Sequence, residues 1–418
     1  MIVINKIKEF SKKHYYAVII FAFIMIYSFV VPGEFSLFRA DNAILAIHAV
    51  DFGMGFCSKL LPGAIYNLFF DSVSIVKTSV YLIVLLTIFF GILSVFLEKF
   101  ILSVDTGHRK IALIILAFFL TGPSTFAIHT HYPGMLDMYW VFCALMLFIF
   151  LSKKQLIPLV LLPFILCVTV YFASLICFIP FFVIIILYKI SCTQDKTEKL
   201  LLWSVVIISA MAAVGLGVYF AVCETDNLVY TIDEFHSIYS ERGVDRFFYF
   251  DQSLYKEIES YGLNKFNGYL PKDNSNIENI ISEIVLRINY SLSMISLGDK
   301  LIVIFLISPA VILILSFLLN QIKSNIKKRN TLKLFSNICM LILPFFTTFS
   351  SVFFSEDLIR WIGHAFITLF IYFIFSIYNE GEESWCWIED RISKLPTPIL
   401  MIYFTLYATT IYHPYYIG

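Results

Sequence analysis

The chain has 418 residues, 59% hydrophobic and only 14% charged, with 30 basic and 30 acidic side chains giving a formal net charge of zero. Soluble domains carry about a quarter charged residues and under half apolar ones, and a mean hydropathy of +0.84 points away from them as well. A soluble globular domain is thereby excluded, and no basic excess suggests nucleic acid as a partner.

A helix needs about 20 apolar residues to cross the hydrocarbon core, and Lys and Arg collect on the cytoplasmic side. Lys6, Lys8, Lys12 and Lys13 precede a first apolar run, 15–32, which places the N-terminus inside. No small-residue cleavage site follows in 28–33, so the run reads as a retained helix rather than a signal peptide. Residues 33–73 form a first outer loop. Run 74–97 returns to Lys99, His108, Arg109 and Lys110, and runs 111–128 and 137–151 make a tight hairpin ending at Lys153 and Lys154. Residues 156–189 are too long for one span. Lysines at both ends call for an even number of crossings, either two short helices turning near Phe172 to Ser174 or a re-entrant hairpin.

Run 200–222 leads into an outer hydrophilic segment, 223–300, with thirteen acidic and seven basic residues and many aromatics. It is expected to be a small cap folded onto the helices. Run 301–320 returns to Lys323, Lys327, Lys328, Arg329 and Lys333. Runs 334–353 and 358–378 form an outer hairpin around Glu356 and Asp357, 379–396 is an inner loop, and 397–412 leaves the C-terminus outside. The expected fold is therefore an all-α polytopic bundle of about eleven spans. An N-terminal bundle (1–222), the outer segment (223–300) and C-terminal helices (301–418) follow one another.

Polar residues at membrane depth are costly, and here they gather in three outer loops. The first holds Arg39, Asp41, Asp51 and Lys59, ahead of an apolar stretch from Leu60 to Phe70 that reads as an interfacial helix. Asp51 at that place suits a base acting at headgroup level; a helix cap or a pair with Lys59 would explain it equally. The second loop holds His129, His131 and Asp137. The histidines suit phosphate or sugar contact, plain loop capping, or, with loop geometry and Asp137 or Asp51, a metal ion; Asp137 suits either the positive end of a helix dipole or chemistry beside them. The third holds Asp357 and Arg360, three apart on one helical face and therefore an ion pair or a diphosphate clamp; His364 faces the same side one turn further in. Lys77 is the exception to spans that otherwise carry almost no deep charge, which argues against an ion-coupled pump. Eight cysteines show no zinc spacing. Cys57 and Cys223, the two placed outside, are a disulfide or two free thiols. Without a Walker loop, GxGxxG, HExxH or GxSxG motif, no metal or cofactor is assigned.

The layout of inner N-terminus, acidic first outer loop, many spans and outer segment resembles the GT-C superfamily of lipid-linked-sugar glycosyltransferases. The stretches Asp51–Lys59, Gly134–Asp137 and Asp357–Trp361 are also similar to bacterial polytopic proteins of capsule and surface-polysaccharide clusters. The resemblance implies a plasma-membrane enzyme whose partners are a polyprenyl-linked sugar donor, a saccharide acceptor and membrane lipid. Asp51 would be its base, with Asp41 and Asp137 in reserve, and Arg360, His129 and His131 would meet the leaving phosphate. Lys59, Asp357 and Arg39 would complete the substrate contacts. A repeat-unit polymerase, or a flippase or transporter without catalysis, are the alternatives.

Overall fold

The computed structural model describes residues 13–30, 42–54, 56, 58–121, 135–223, 240–242, 285, 289, 297–354, 358–380 and 382–409. Every regular element among them is helical, with no strand. In chain order these are α1 (Tyr15–Val30), α2 (Asn42–Ala49), α3 (Leu61–Tyr66), α4 (Ile75–Ser103), α5 (Arg109–Leu120), α6 (Leu136–Leu151), α7 (Leu161–Val170), α8 (Phe178–Cys192) and α9 (Lys196–Cys223). Further along the chain come α10 (Leu297–Ile302), α11 (Ser308–Lys328), α12 (Thr331–Phe354), α13 (Leu358–Glu380), α14 (Glu382–Ser393) and α15 (Thr397–Thr409).

Six helical stretches are long and apolar enough to cross a membrane: Ile75–Ser103, Phe172–Cys192, Lys196–Phe220, Ile304–Lys328, Thr331–Phe349 and Trp361–Glu380. Four shorter apolar helices accompany them. The surface of α4 shows why lipid suits it as solvent. Val80, Val84, Ile88 and Ile92, four residues apart, form an outward stripe 44–56% exposed, while Leu82, Leu86, Phe90 and Leu93 are buried. At about 1.5 Å per residue the 29 residues of α4 extend roughly 43 Å, the thickness of a bilayer with its headgroups.

The bundle is organised around α13 and α8, where 78% and 67% of the apolar stretch is buried, against 28–44% in the other four. α12 packs on both, α11 flanks α12 and α13, and α9 closes over α7 and α8. The long apolar stretch 156–189 breaks as its length demands, with α7 ending at Val170 and a 3-10 turn at Phe172–Leu175 leading to α8.

Two expectations are corrected. The stretch Leu60–Phe70 is helical only from Leu61 to Tyr66, with Pro62, Gly63 and Tyr66 buried in the fold and Leu68 and Phe69 exposed. Gly63 explains the close docking: a Cβ there would sit 1.7 Å from the Val50 carbonyl oxygen. The second concerns 379–396, read as a loop, which contains the 12-residue α14. Its Ser384, Trp385 and Ile388 are buried and it packs on α13, an amphipathic register that the acidic composition conceals.

Candidate functional site

Asp51 follows the C-terminus of α2 and is the centre of a dense polar group. Its Oδ1 accepts the Gly53 backbone N–H at 2.8 Å, the local turn that aspartate favours. A Cβ at 53 would lie 2.9 Å from that same oxygen, so a larger residue there would require the Asp51 carboxylate to shift. Asn67 Nδ2, at the end of α3, donates to Asp51 Oδ2 at 2.6 Å. Arg242 Nη1 and Nη2 donate to Oδ2 at 3.2 and 3.1 Å, and Nη1 also donates to the Ala49 carbonyl at 2.7 Å. The backbone takes part too, since Val73 N–H donates to the Arg242 carbonyl at 3.2 Å. Arg242 is thus tied to the first loop by side chain and main chain together. Burial pushes the Asp51 carboxyl up, but the Gly53 N–H, the Arg242 charge and the Asn67 amide outweigh it and hold it below its ordinary value.

One turn earlier, His48 is fully buried. Its Nδ1–H donates to the Ile44 carbonyl at 2.7 Å, and the Tyr139 hydroxyl donates to Nε2 at 2.9 Å. The Tyr66 and Tyr81 rings meet it edge-on at 5.5 and 5.6 Å between centroids. Burial draws the imidazole down to about 4, with the Ile44 carbonyl opposing. His48 is therefore a neutral pin joining the first loop to the start of α6.

The start of α6 carries the second carboxylate. Asp137 Oδ1 lies 3.0 Å from His364 Nε2 of α13, both side chains 1–2% exposed. The imidazole is walled by Trp140, Trp361 and Phe178, with centroids at 5.2, 5.7 and 5.9 Å. Trp140 stacks in parallel on Tyr171 at 6.0 Å, and the Lys59 ammonium lies 4.7 Å from the Tyr171 ring on the first loop's side. Lys59 has a left-handed φ of 73°, held there by its N–H on the Thr169 carbonyl at 3.1 Å. The first loop, α6, the α7–α8 break and α13 therefore meet at one end of the bundle through His48–Tyr139, Lys59–Tyr171–Trp140 and Asp137–His364.

Three residues named from sequence are described in full. Asp51 pairs with Arg242 rather than Lys59, Lys59 sits on Tyr171, and Asp137 is matched by His364. Arg360 lies in the first turn of α13, one turn before His364, with its side chain outside the described residues. Arg39, Asp41, His129, His131 and Asp357 lie outside them altogether, as do the side chains of Cys57 and Cys223. Two ionisable pairs with nearly buried carboxylates lie at helix ends, Asp137–His364 at the start of α6 and Glu98 with His14 at 2.6 Å near the end of α4. Sequence reasoning assigned no role to Arg242, Asn67, His48 or Tyr139. Asn67 had a signal, as the polar interruption of an apolar stretch; Arg242, separated from Asp51 by 191 positions, had none.

At the other end, His108, Glu382 and Cys386 offer ligand atoms within 4.8 Å of one another. His108 Nδ1 already faces Glu389 at 2.8 Å. Among the described residues this is the one grouping with metal-ligand character, and no link to the Asp51 end is evident. No family model, characterised protein or solved structure matches the chain.

Proposed function

We propose that the chain is a bacterial plasma-membrane glycosyltransferase, with eleven spans, an inner N-terminus and an outer C-terminus. It would use a polyprenyl-phosphate- or diphosphate-linked sugar in surface-polysaccharide synthesis. The observation that carries this reading is the Asp51–Arg242 pair, 21% and 28% exposed, at an end of the bundle where apolar Leu68 and Phe69 stand 78% and 68% exposed beside it. A carboxylate and a guanidinium at headgroup level suit a reaction between a hydroxyl and a lipid phosphate.

In this mechanism an incoming phosphate competes with Asp51 for the Arg242 guanidinium. Asp51, relieved of its strongest charge partner, becomes more basic and takes the proton of the acceptor hydroxyl. The hydroxyl oxygen bonds to the anomeric carbon as the carbon–phosphate-oxygen bond breaks, and the leaving phosphate keeps the electron pair. Arg360, His129 and His131 are proposed to neutralise it. The test is transfer from polyprenyl-linked sugar by the purified protein. Asp51→Asn is expected to lower turnover at least a hundredfold, well beyond the effect of Arg242→Gln on the same loop contact, and unchanged turnover rejects Asp51 as the base.

One observation favours a second reading, a flippase or transporter. Asp137–His364 is an enclosed ionisable pair between two helices, the kind of feature that marks transport pathways. Substrate flux into liposomes that persists in Asp51→Asn and stops in Asp137→Asn would favour it over catalysis.

A further inference from the structure

The end of the bundle away from Asp51 carries an uncompensated positive charge beside two apolar grooves. The first groove, about 210 Å³, runs between α4, α6 and α13, walled by side chains such as Phe96, Phe100, Phe148 and Phe375, with Lys99 and Lys189 at its rim. The second, about 570 Å³ and more open, lies on the other flank of α4 along Ile88, Gly91, Ile92 and Ile149, with Lys99 and Lys153 at its rim. Phe96, Lys99 and Ser152 belong to both. The grooves therefore converge on one lysine, with a second lysine at each mouth.

Three acids at this end are engaged elsewhere. Glu98 holds His14 at 2.6 Å, Asp195 holds Lys154, and Glu380 holds Lys333 at 2.6 Å while accepting the Tyr188 hydroxyl. Among the described residues Lys99, Lys153 and Lys189 make no ion pair or side-chain hydrogen bond of their own. Three ammonium groups without counter-charge at the edge of a hydrocarbon slab attract an anionic headgroup, and two apolar grooves meeting beneath them match two hydrocarbon chains.

We propose that this end of the bundle holds one two-chain anionic phospholipid. Its phosphate sits among Lys99, Lys153 and Lys189, and its acyl chains lie along the two flanks of α4. Charge complementarity selects the anionic headgroup, and the paired grooves select a diacyl lipid over a single-chain isoprenoid. The site is independent of the catalytic reading and leaves Asp51 untouched.

The test uses the full chain in detergent, stripped of lipid, with bound lipid counted by native mass spectrometry. Phosphatidylglycerol is titrated against phosphatidylcholine of the same chains, polyprenyl phosphate and inorganic phosphate. One phosphatidylglycerol is expected to bind at least tenfold more tightly than phosphatidylcholine. Each of Lys99→Gln, Lys153→Gln and Lys189→Gln should weaken it about fivefold, the effect of roughly one lysine contact at a membrane surface. Gly91→Phe should also weaken it, because a Cβ at 91 meets nothing within 4 Å and the ring fills the groove without disturbing the fold. Equal binding of phosphatidylcholine, or phosphatidylglycerol binding unchanged in the triple lysine variant, overturns the proposal. Tighter binding of polyprenyl phosphate, or displacement of the lipid by millimolar inorganic phosphate, overturns the diacyl occupant.

Discussion

Acidification should loosen the first loop through His48, and the size of the effect can be worked out. The imidazole titrates at about 4 in the fold against 6.5 when free. Its folded value is depressed, so between those two values the unfolded chain takes up a proton that the folded chain refuses. His48 therefore costs no stability above about pH 6.5, and the folded state loses ground as the pH falls toward 4. The gap corresponds to about 3 kcal/mol, accumulating at roughly 1.4 kcal/mol per pH unit. The cause is burial: the ring is fully enclosed, so a second ring proton would place a charge where little solvation offsets it, against the weaker opposing pull of the Ile44 carbonyl. Unfolding in mixed micelles, followed by tryptophan fluorescence from pH 7.5 to 4.5, measures the slope. The quantity of interest is wild type minus His48→Gln, which cancels the ionisable groups common to both proteins. That difference should rise to about 1.4 kcal/mol per pH unit near pH 5. Parallel slopes for the two proteins would refute the account of His48 as a buried neutral pin.

Four further outcomes follow from the geometry. Asp51→Asn and Arg242→Gln should each destabilise the loop by about 2 kcal/mol, the scale of a charge-assisted hydrogen bond, and expose the 223–300 segment to faster proteolysis; an unchanged cleavage rate would mean Arg242 does not tether it. The same contact should persist above the ordinary carboxylate value and fail only as pH falls through the depressed value of Asp51, so cleavage at 223–300 should not accelerate until below about pH 4. Asp137→Ala or His364→Phe should cost about 4 kcal/mol, because each leaves an ionisable partner buried alone, and a double-mutant cycle in which the two losses simply add would deny their coupling. Gly63→Ala should cost about 4 kcal/mol in the unfolding assay, since its methyl would overlap the Val50 carbonyl; full stability would show that α3 can dock elsewhere.

The apolar runs were enough to read several of the long helices. The run 358–378 is α13, 200–222 lies within α9, and 156–189 breaks at the 3-10 turn Phe172–Leu175. This was legible because spanning helices satisfy their own backbone and need only a continuous apolar stretch. Asp51 and Asp137 were also visible, as acids at the edges of such stretches. Their partners were not. Tertiary structure alone set Arg242 on Asp51 across 191 positions and His364 on Asp137 between separate helices. It also decided that Lys59 faces Tyr171 rather than Asp51. Helix formation depends on residues a few places apart, whereas a pairing between helices depends on which faces pack together, and no periodicity along the chain encodes that choice.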